Sequence, residues 1–160
     1  MTCQLSVAVV DLHRPGRMKS VVQLDINAPQ AKVDRLFEDP HLLPRWMDDL
    51  ERVEPVDDSG IHGGARFRMV PRDGTLVFVG RVVDREPPVR TQMALDGPTV
   101  SVTVTGTSAR LSDAKTRFES EGIFAFKGLL GHVFGWLGRW SIRRAHRRHI
   151  EAFKRFAESQ

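Results

Sequence analysis

His146 and His149 stand three positions apart in a stretch of helical periodicity, close enough to face one metal ion. No third Cys, His or carboxylate follows at ligand spacing, and a zinc site takes three or four protein ligands, so the pattern indicates no metal. His149 falls on a stripe with apolar residues, the place of a hydrogen-bonded core histidine. Asp48-Asp49 and Asp57-Asp58 are neighbours along the chain only. Adjacent side chains diverge on a helix or strand, so neither pair forms an acid–base dyad. There is no Gly-x-Ser-x-Gly elbow, phosphate-binding loop or dinucleotide fingerprint. The chemistry-bearing residues therefore suggest no catalytic set and no cofactor.

Composition narrows the class. The 160 residues, 41% hydrophobic and 28% charged, suit one soluble domain with a real core. A lone Cys3 excludes an internal disulfide, and a reducing cytoplasmic setting is expected. No apolar run approaches the roughly 20 residues of a membrane span. Met1–Val10 has no basic segment before its apolar run and no clear cleavage site, so no signal peptide is read. The net charge is +4, and its basicity is concentrated late: Arg139, Arg143, Arg144, Arg147, Arg148, Lys154 and Arg155 meet only Glu151 in that stretch. Such a helix attracts anionic lipid or nucleic acid, or is a solvated face with cations near its C-terminus.

Elements follow from periodicity and punctuation. Residues 1–17 form an appendage closed by Arg14-Pro15-Gly16, and residues 18–160 form the domain. Val22, Leu24 and Ile26 alternate with polar residues as a half-buried strand. Pro29 opens a helix carrying Val33, Leu36 and Phe37. Asp39-Pro40 opens a second, short helix with Leu42, Leu43, Trp46 and Met47. Period two then predicts strands at Arg52–Val56, Ala65–Pro71, Thr75–Arg85, Val89–Leu95, Thr99–Ala109 and Lys115–Phe126, with Asp73-Gly74 as a tight hairpin. From Lys127 to Glu158 the spacing predicts one long helix. Its later apolar stripe is Ala145, Ala152, Phe153 and Phe156, continued earlier by Gly128, Gly131, Gly135 and Gly138. The bulky Leu129, Leu130, Val133, Phe134, Trp136, Leu137 and Trp140 lie on the other side.

This order is an α+β pattern, a curved antiparallel sheet of about seven strands that must be covered, and only the final helix is long enough to cover it. It resembles the START-like (SRPBCC, helix-grip) superfamily of polyketide cyclases and lipid-transfer domains. The resemblance rests on Val22–Phe37 (VQLDINAPQAKVDRLF), on Asp39–Trp46 (DPHLLPRW), on the Pro87-Pro88-Val89-Arg90 turn and on the closing helix. It implies an apolar cavity between sheet and helix. Aromatases of this fold use a cavity arginine and tyrosines; Tyr is absent here, and Phe67 and Met69 take the cavity side in place of Arg66 and Arg68. Arg45 belongs at the rim, because an unpaired charge in an apolar pocket is costly.

The expected lining is Trp46 from the second short helix, Phe67, Met69, Phe78, Met93, Val102, Val104, Phe118 and Phe124 from the sheet, and Gly131 and Gly135 from the long helix. The same alternation would serve a packed core. Each helix glycine costs about 1 kcal/mol against Ala. The four therefore indicate close backbone approach, empty volume for a ligand, or a break near Gly138. Trp136, Trp140, Arg143 and Arg147 make an aromatic-then-basic strip suited to a homodimer, to an anionic membrane surface, or to cover by Leu5–Val10. Nucleic acid is not expected, since the sheet offers no stacking platform. The leading reading is a binder of one hydrophobic small molecule, a lipid, isoprenoid or polyketide. A cyclase-like enzyme and an interaction module are the alternatives.

Overall fold

The computed structural model describes residues 16–56, 66–74, 77–86, 90–128, 133 and 138–160. The chain runs β1 (Arg17–Ile26), α1 (Gln30–Glu38), a 3₁₀ helix (Pro40–Arg45), then β2 (Leu50–Pro55), β3 (Arg66–Pro71), β4 (Phe78–Glu86), β5 (Arg90–Asp96), β6 (Val100–Ser112), β7 (Lys115–Phe126) and α2 (Arg139–Ser159). The seven strands make one antiparallel sheet in the order β1-β7-β6-β5-β4-β3-β2. The two helical segments after β1 carry the chain to the far edge, and the meander returns to close β7 onto β1. The expected helix-grip architecture is the observed one.

Local chemistry explains the connections. Pro29 precedes α1, and the Asp39 carboxylate caps the 3₁₀ helix by accepting from the His41 N–H at 2.9 Å. The second helix is 3₁₀ in form, and Pro44 inside it has no N–H to give an i→i−4 ladder. Gly74 takes φ +68° in the turn after β3, a backbone angle that a side chain disfavours.

The long helix is shorter than its sequence pattern. Gly128 has φ +72° at the start of the segment, and Gly138 stands in a turn at the N-cap of α2, with the Ile142 N–H bonded to its carbonyl. The helix expected to run unbroken from Lys127 is therefore interrupted at Gly138, the break that the glycine stripe allowed, and α2 begins at Arg139. Leu129, Leu130, Gly131, Phe134, Gly135, Trp136 and Leu137 lie outside the described residues. So does the segment before Gly16.

Buried residues on α2 are His146, Ile150, Phe153, Phe156 and Ala157. The centre of the grip is aromatic. Phe37 meets Phe118 at 4.8 Å and Phe153 at 5.2 Å between ring centroids, and Trp46 lies 5.3 Å from Phe153. Edge and tilted contacts of this kind add about 0.5–1.5 kcal/mol per pair to their area burial.

Candidate functional site

The strand residues expected to line a cavity share one face and stand in register. One row crosses the sheet as Phe67, Gly80, Leu95, Val102 and Phe124, and a second runs Val82, Met93, Val104 and Gly122. Arg66 and Arg68 point to the other, exposed face, as alternation requires. Much of this face is filled. A Cβ at Gly80 would stand 2.4 Å from the Phe67 ring, and one at Gly106 would stand 2.4 Å from the Phe37 ring. These glycines are seats for aromatic rings. Trp46, Phe67, Met93, Val102 and Phe118 are buried in the packed core, with Val104 packed partly buried against it. Phe124 is half-buried and lies edge-on to the His146 ring at 6.2 Å.

Open space remains at the β2–β4 edge. A cleft of about 220 Å³ is lined by Met47, Asp49, Leu50, Met69, Pro71, Asp73 and Phe78. Of the expected lining, only Met69 and Phe78 reach it. Met47 and Leu50 come from the chain that leaves the 3₁₀ helix, and Met69 and Phe78 face each other across β3 and β4. The cleft is below the roughly 300–1,000 Å³ of a drug-sized pocket, so by itself it fits a small apolar group.

Asp49 and Asp73 both bring carboxylates to this cleft, and Asp49 is the one paired with a histidine. Its carboxylate accepts from His149 Nε2 at 3.1 Å, and that hydrogen bond, with help from nearby Arg148, holds its pKa below the ordinary value. Asp49 is thus ionised at neutral pH and poised to accept hydrogen bonds. Asp48 takes no part in a dyad; its backbone carbonyl accepts from Arg72 Nε.

The core histidine is His146, which corrects the assignment to His149. His146 Nδ1 lies 2.9 Å from Ser20 Oγ and Nε2 lies 3.0 Å from Ser120 Oγ, all three side chains being buried. Burial, with a smaller contribution from His149, pushes the His146 pKa down to about 4. A neutral imidazole has one N–H and one lone pair, so one serine accepts from the ring and the other donates to it. The two histidines diverge, His146 into the core and His149 toward Asp49. No three His, Cys, Asp or Glu side chains converge among the described residues.

Two further buried groups were not foreseen. Among the described residues Trp46 Nε1 has no hydrogen-bond partner, and Asp34 Oδ2 has none either. Asp34 accepts from Ser108 on its other oxygen, while burial raises its pKa.

On the outer surface Trp140 is 70% exposed and Val133 is 53% exposed. The Arg144 guanidinium lies over the Trp140 ring at 5.2 Å, so Arg144 is the cation beside it. Arg143 and Arg147 are exposed one and two turns on; Arg147 approaches Glu151 at 3.8 Å. Arg45 is exposed and does not line the cleft, and its guanidinium lies 5.4 Å from the centre of the Phe156 ring. Among the described residues no helix is long and apolar enough to cross a membrane.

A signal for the filled face was present in the sequence. Gly80, Gly106 and Gly122 occupy inward parity in their strands, where a missing side chain admits a ring from elsewhere. Ser20 and Ser120 likewise put hydroxyls on a dry face, which calls for a polar partner on the covering helix.

Comparison with known proteins agrees with this architecture. TTHA0849 from Thermus thermophilus superposes with a TM-score of 0.68 at 20% identity, over 89% of this chain and 95% of that one. Ara h 8.0201 gives 0.68 at 12% identity, over 91% of this chain and all (100%) of that one. The di-domain ARO/CYC BexL from the BE-7585A biosynthetic pathway gives 0.69 at 18% identity, over 92% of this chain and 50% of that one. At such identities the likeness is one of fold. A search of curated protein sequences finds no match. The sequence profile described as polyketide cyclase / dehydrase and lipid transport matches residues 17–158, nearly the whole chain described above, and the protein belongs to that family.

Proposed function

We propose that the protein binds a hydrophobic small molecule, with the cleft at the β2–β4 edge as the part of the site that is open. The observation that carries this reading is the combination of Met47, Leu50, Met69 and Phe78 around about 220 Å³ with the ionised Asp49 beside them. Apolar walls supply the driving force, and the Asp49 and Asp73 carboxylates orient a hydroxyl or amine on the ligand. Lipid, isoprenoid and polyketide skeletons all have that form. The unit that does this is residues 18–160, working in the cytoplasm, with residues 1–17 as an appendage.

The test is binding of an apolar fluorescent probe, 1-N-phenylnaphthylamine, with native mass spectrometry of freshly purified protein. Met47→Trp places an indole in the cleft and is expected to weaken the probe by at least about tenfold, the loss of some 1.4 kcal/mol of contact. No binding by the parent, or full affinity in Met47→Trp, rejects the site.

A second reading, a cyclase- or dehydratase-like enzyme, draws on the Asp49–His149 pair at the cleft. A carboxylate and an imidazole at hydrogen-bond distance can share a proton with a bound carbonyl compound. Turnover of a polyketide-like substrate, lost in Asp49→Asn with ligand affinity retained, would separate it from simple binding. The exposed Trp140 face supports an additional contact, with a second copy of the chain or with an anionic membrane surface.

A further inference from the structure

At the opposite edge of the sheet from the cleft, β1 and α2 leave a second pocket of about 310 Å³. Its lining is Lys19, Ser20, Val21, Val22, Arg143 and Arg147. Three of these six residues are cations and none is a carboxylate. Lys19 is answered by Glu121 on β7 at 2.7 Å. Arg147 reaches Glu151 only at 3.8 Å, and Arg143 has no counter-ion among the described residues. The pocket therefore holds more positive charge than its surroundings neutralise.

Donors other than the cations converge there too. Among the described residues β1 is an edge strand, with β7 on one side of it. In an antiparallel pair alternate residues turn their N–H groups away from the partner, so either Lys19 and Val21 or Ser20 and Val22 direct theirs to the open edge. Ser20 is buried in the pocket wall with its Oγ 2.9 Å from His146 Nδ1. When the His146 proton is on Nδ1, the ring donates to Ser20, accepts from Ser120 through Nε2, and leaves the Ser20 hydroxyl proton free to point outward. The neutral imidazole thus lets Ser20 act as a donor without placing a charge in the core.

We propose that this pocket binds a phosphoryl anion, gripped by the Arg143 and Arg147 guanidinium groups, with Lys19 adding charge and Ser20 a hydroxyl donor. Guanidinium groups match the planar spacing of phosphate oxygens, and a charge-assisted bond is about twice as strong as a neutral one. The anion comes from a soluble phosphate ester or from a phospholipid headgroup. Trp140, exposed one turn before Arg143, is the residue that tells these sources apart. The site is independent of the cleft, and it stands whether or not the cleft binds an apolar ligand.

The experiment titrates inorganic phosphate into the full chain at constant chloride by calorimetry, and runs flotation with phosphatidylcholine vesicles with and without phosphatidic acid. Saturable phosphate binding is expected, or flotation with phosphatidic acid alone; the first gives a soluble ligand and the second a headgroup. Arg143→Gln/Arg147→Gln is expected to weaken binding by about 100-fold or more and Ser20→Ala by about tenfold, following one to two charge-assisted bonds at roughly tenfold each. Arg155→Gln removes a charge from the same helix away from the pocket and is expected to change binding less than about twofold. Trp140→Ala lowers flotation only in the headgroup case. Absence of both binding and flotation overturns the proposal, and so does an Arg155→Gln effect as large as that of the double variant, because the attraction would then be diffuse.

Discussion

At its C-terminal end α2 presses Phe153 into Phe37, Trp46 and Phe118, whereas two turns earlier His146 meets the sheet through Ser20 and Ser120. Both contacts are buried, yet they hold by different physics. The aromatic end gains from area removed from water and from many weak contacts, which tolerate small rotations. The histidine end depends on direction and on a proton. Two neutral hydrogen bonds contribute about 0.5–1.5 kcal/mol each, against about 3–5 kcal/mol for a fully packed ring. At neutral pH the aromatic end therefore dominates, and acid shifts the weakness to the other.

Replacing Phe153 by Ala should break the comparison most strongly. Phe153 has 0% exposure, so the variant is expected to lose about 3–5 kcal/mol, seen in urea melts as a lower midpoint at unchanged slope. The acid limb probes the other end. The folded His146 pKa is about 4 against the ordinary 6.5, so the unfolded chain takes up the proton first as pH falls. Stability from this group is complete above about pH 6.5 and is lost down to about pH 4, by roughly 3 kcal/mol. His146→Gln keeps a donor and an acceptor for the serines and should flatten that limb; an unchanged limb would assign it to other groups. The smallest effect expected is at the seat under Phe37. Gly106→Ala puts a methyl 2.4 Å from the ring and should cost about 1–3 kcal/mol, measured the same way.

The antiparallel meander, the inward parity of Phe67, Met69, Val102 and Phe118, and the role of the last helix as cover were all legible. Each is written in local spacing and turn residues. The phase of α2 was harder. The expected stripe of Ala145, His149, Ala152, Phe153 and Phe156 competes with one through His146, Ile150, Phe153 and Ala157, at most about 100° round the helix. Phe153 is common to both, and Phe153 and Phe156 are buried as expected. By apolarity the two are close to equal. The sheet selects the second, because Ser20 and Ser120 satisfy His146, and that pairing spans 126 positions to Ser20. Distant partners also explain the cleft. Asp49 meets His149 from 100 positions away, a relation that no local pattern carries. The extent of packing was hidden for a third reason. Phe37 belongs to a helix and Gly106 to a strand, so ring and seat are visible together only once the helix lies on the sheet.

The closure of β7 onto β1 has a bearing on how the chain acquires its shape. β1 is made early and waits, unpaired, until Lys115–Phe126 has been synthesised. Even then the apolar face stays wet until α2 arrives, and Asp25 and Lys154, joined by a hydrogen bond, are 129 positions apart. Contacts so distant pay their loop-closure entropy before they are rewarded, which slows folding. During translation the half-made sheet is an exposed greasy surface with two free edges, and a nascent chain in that state is a natural client for a chaperone.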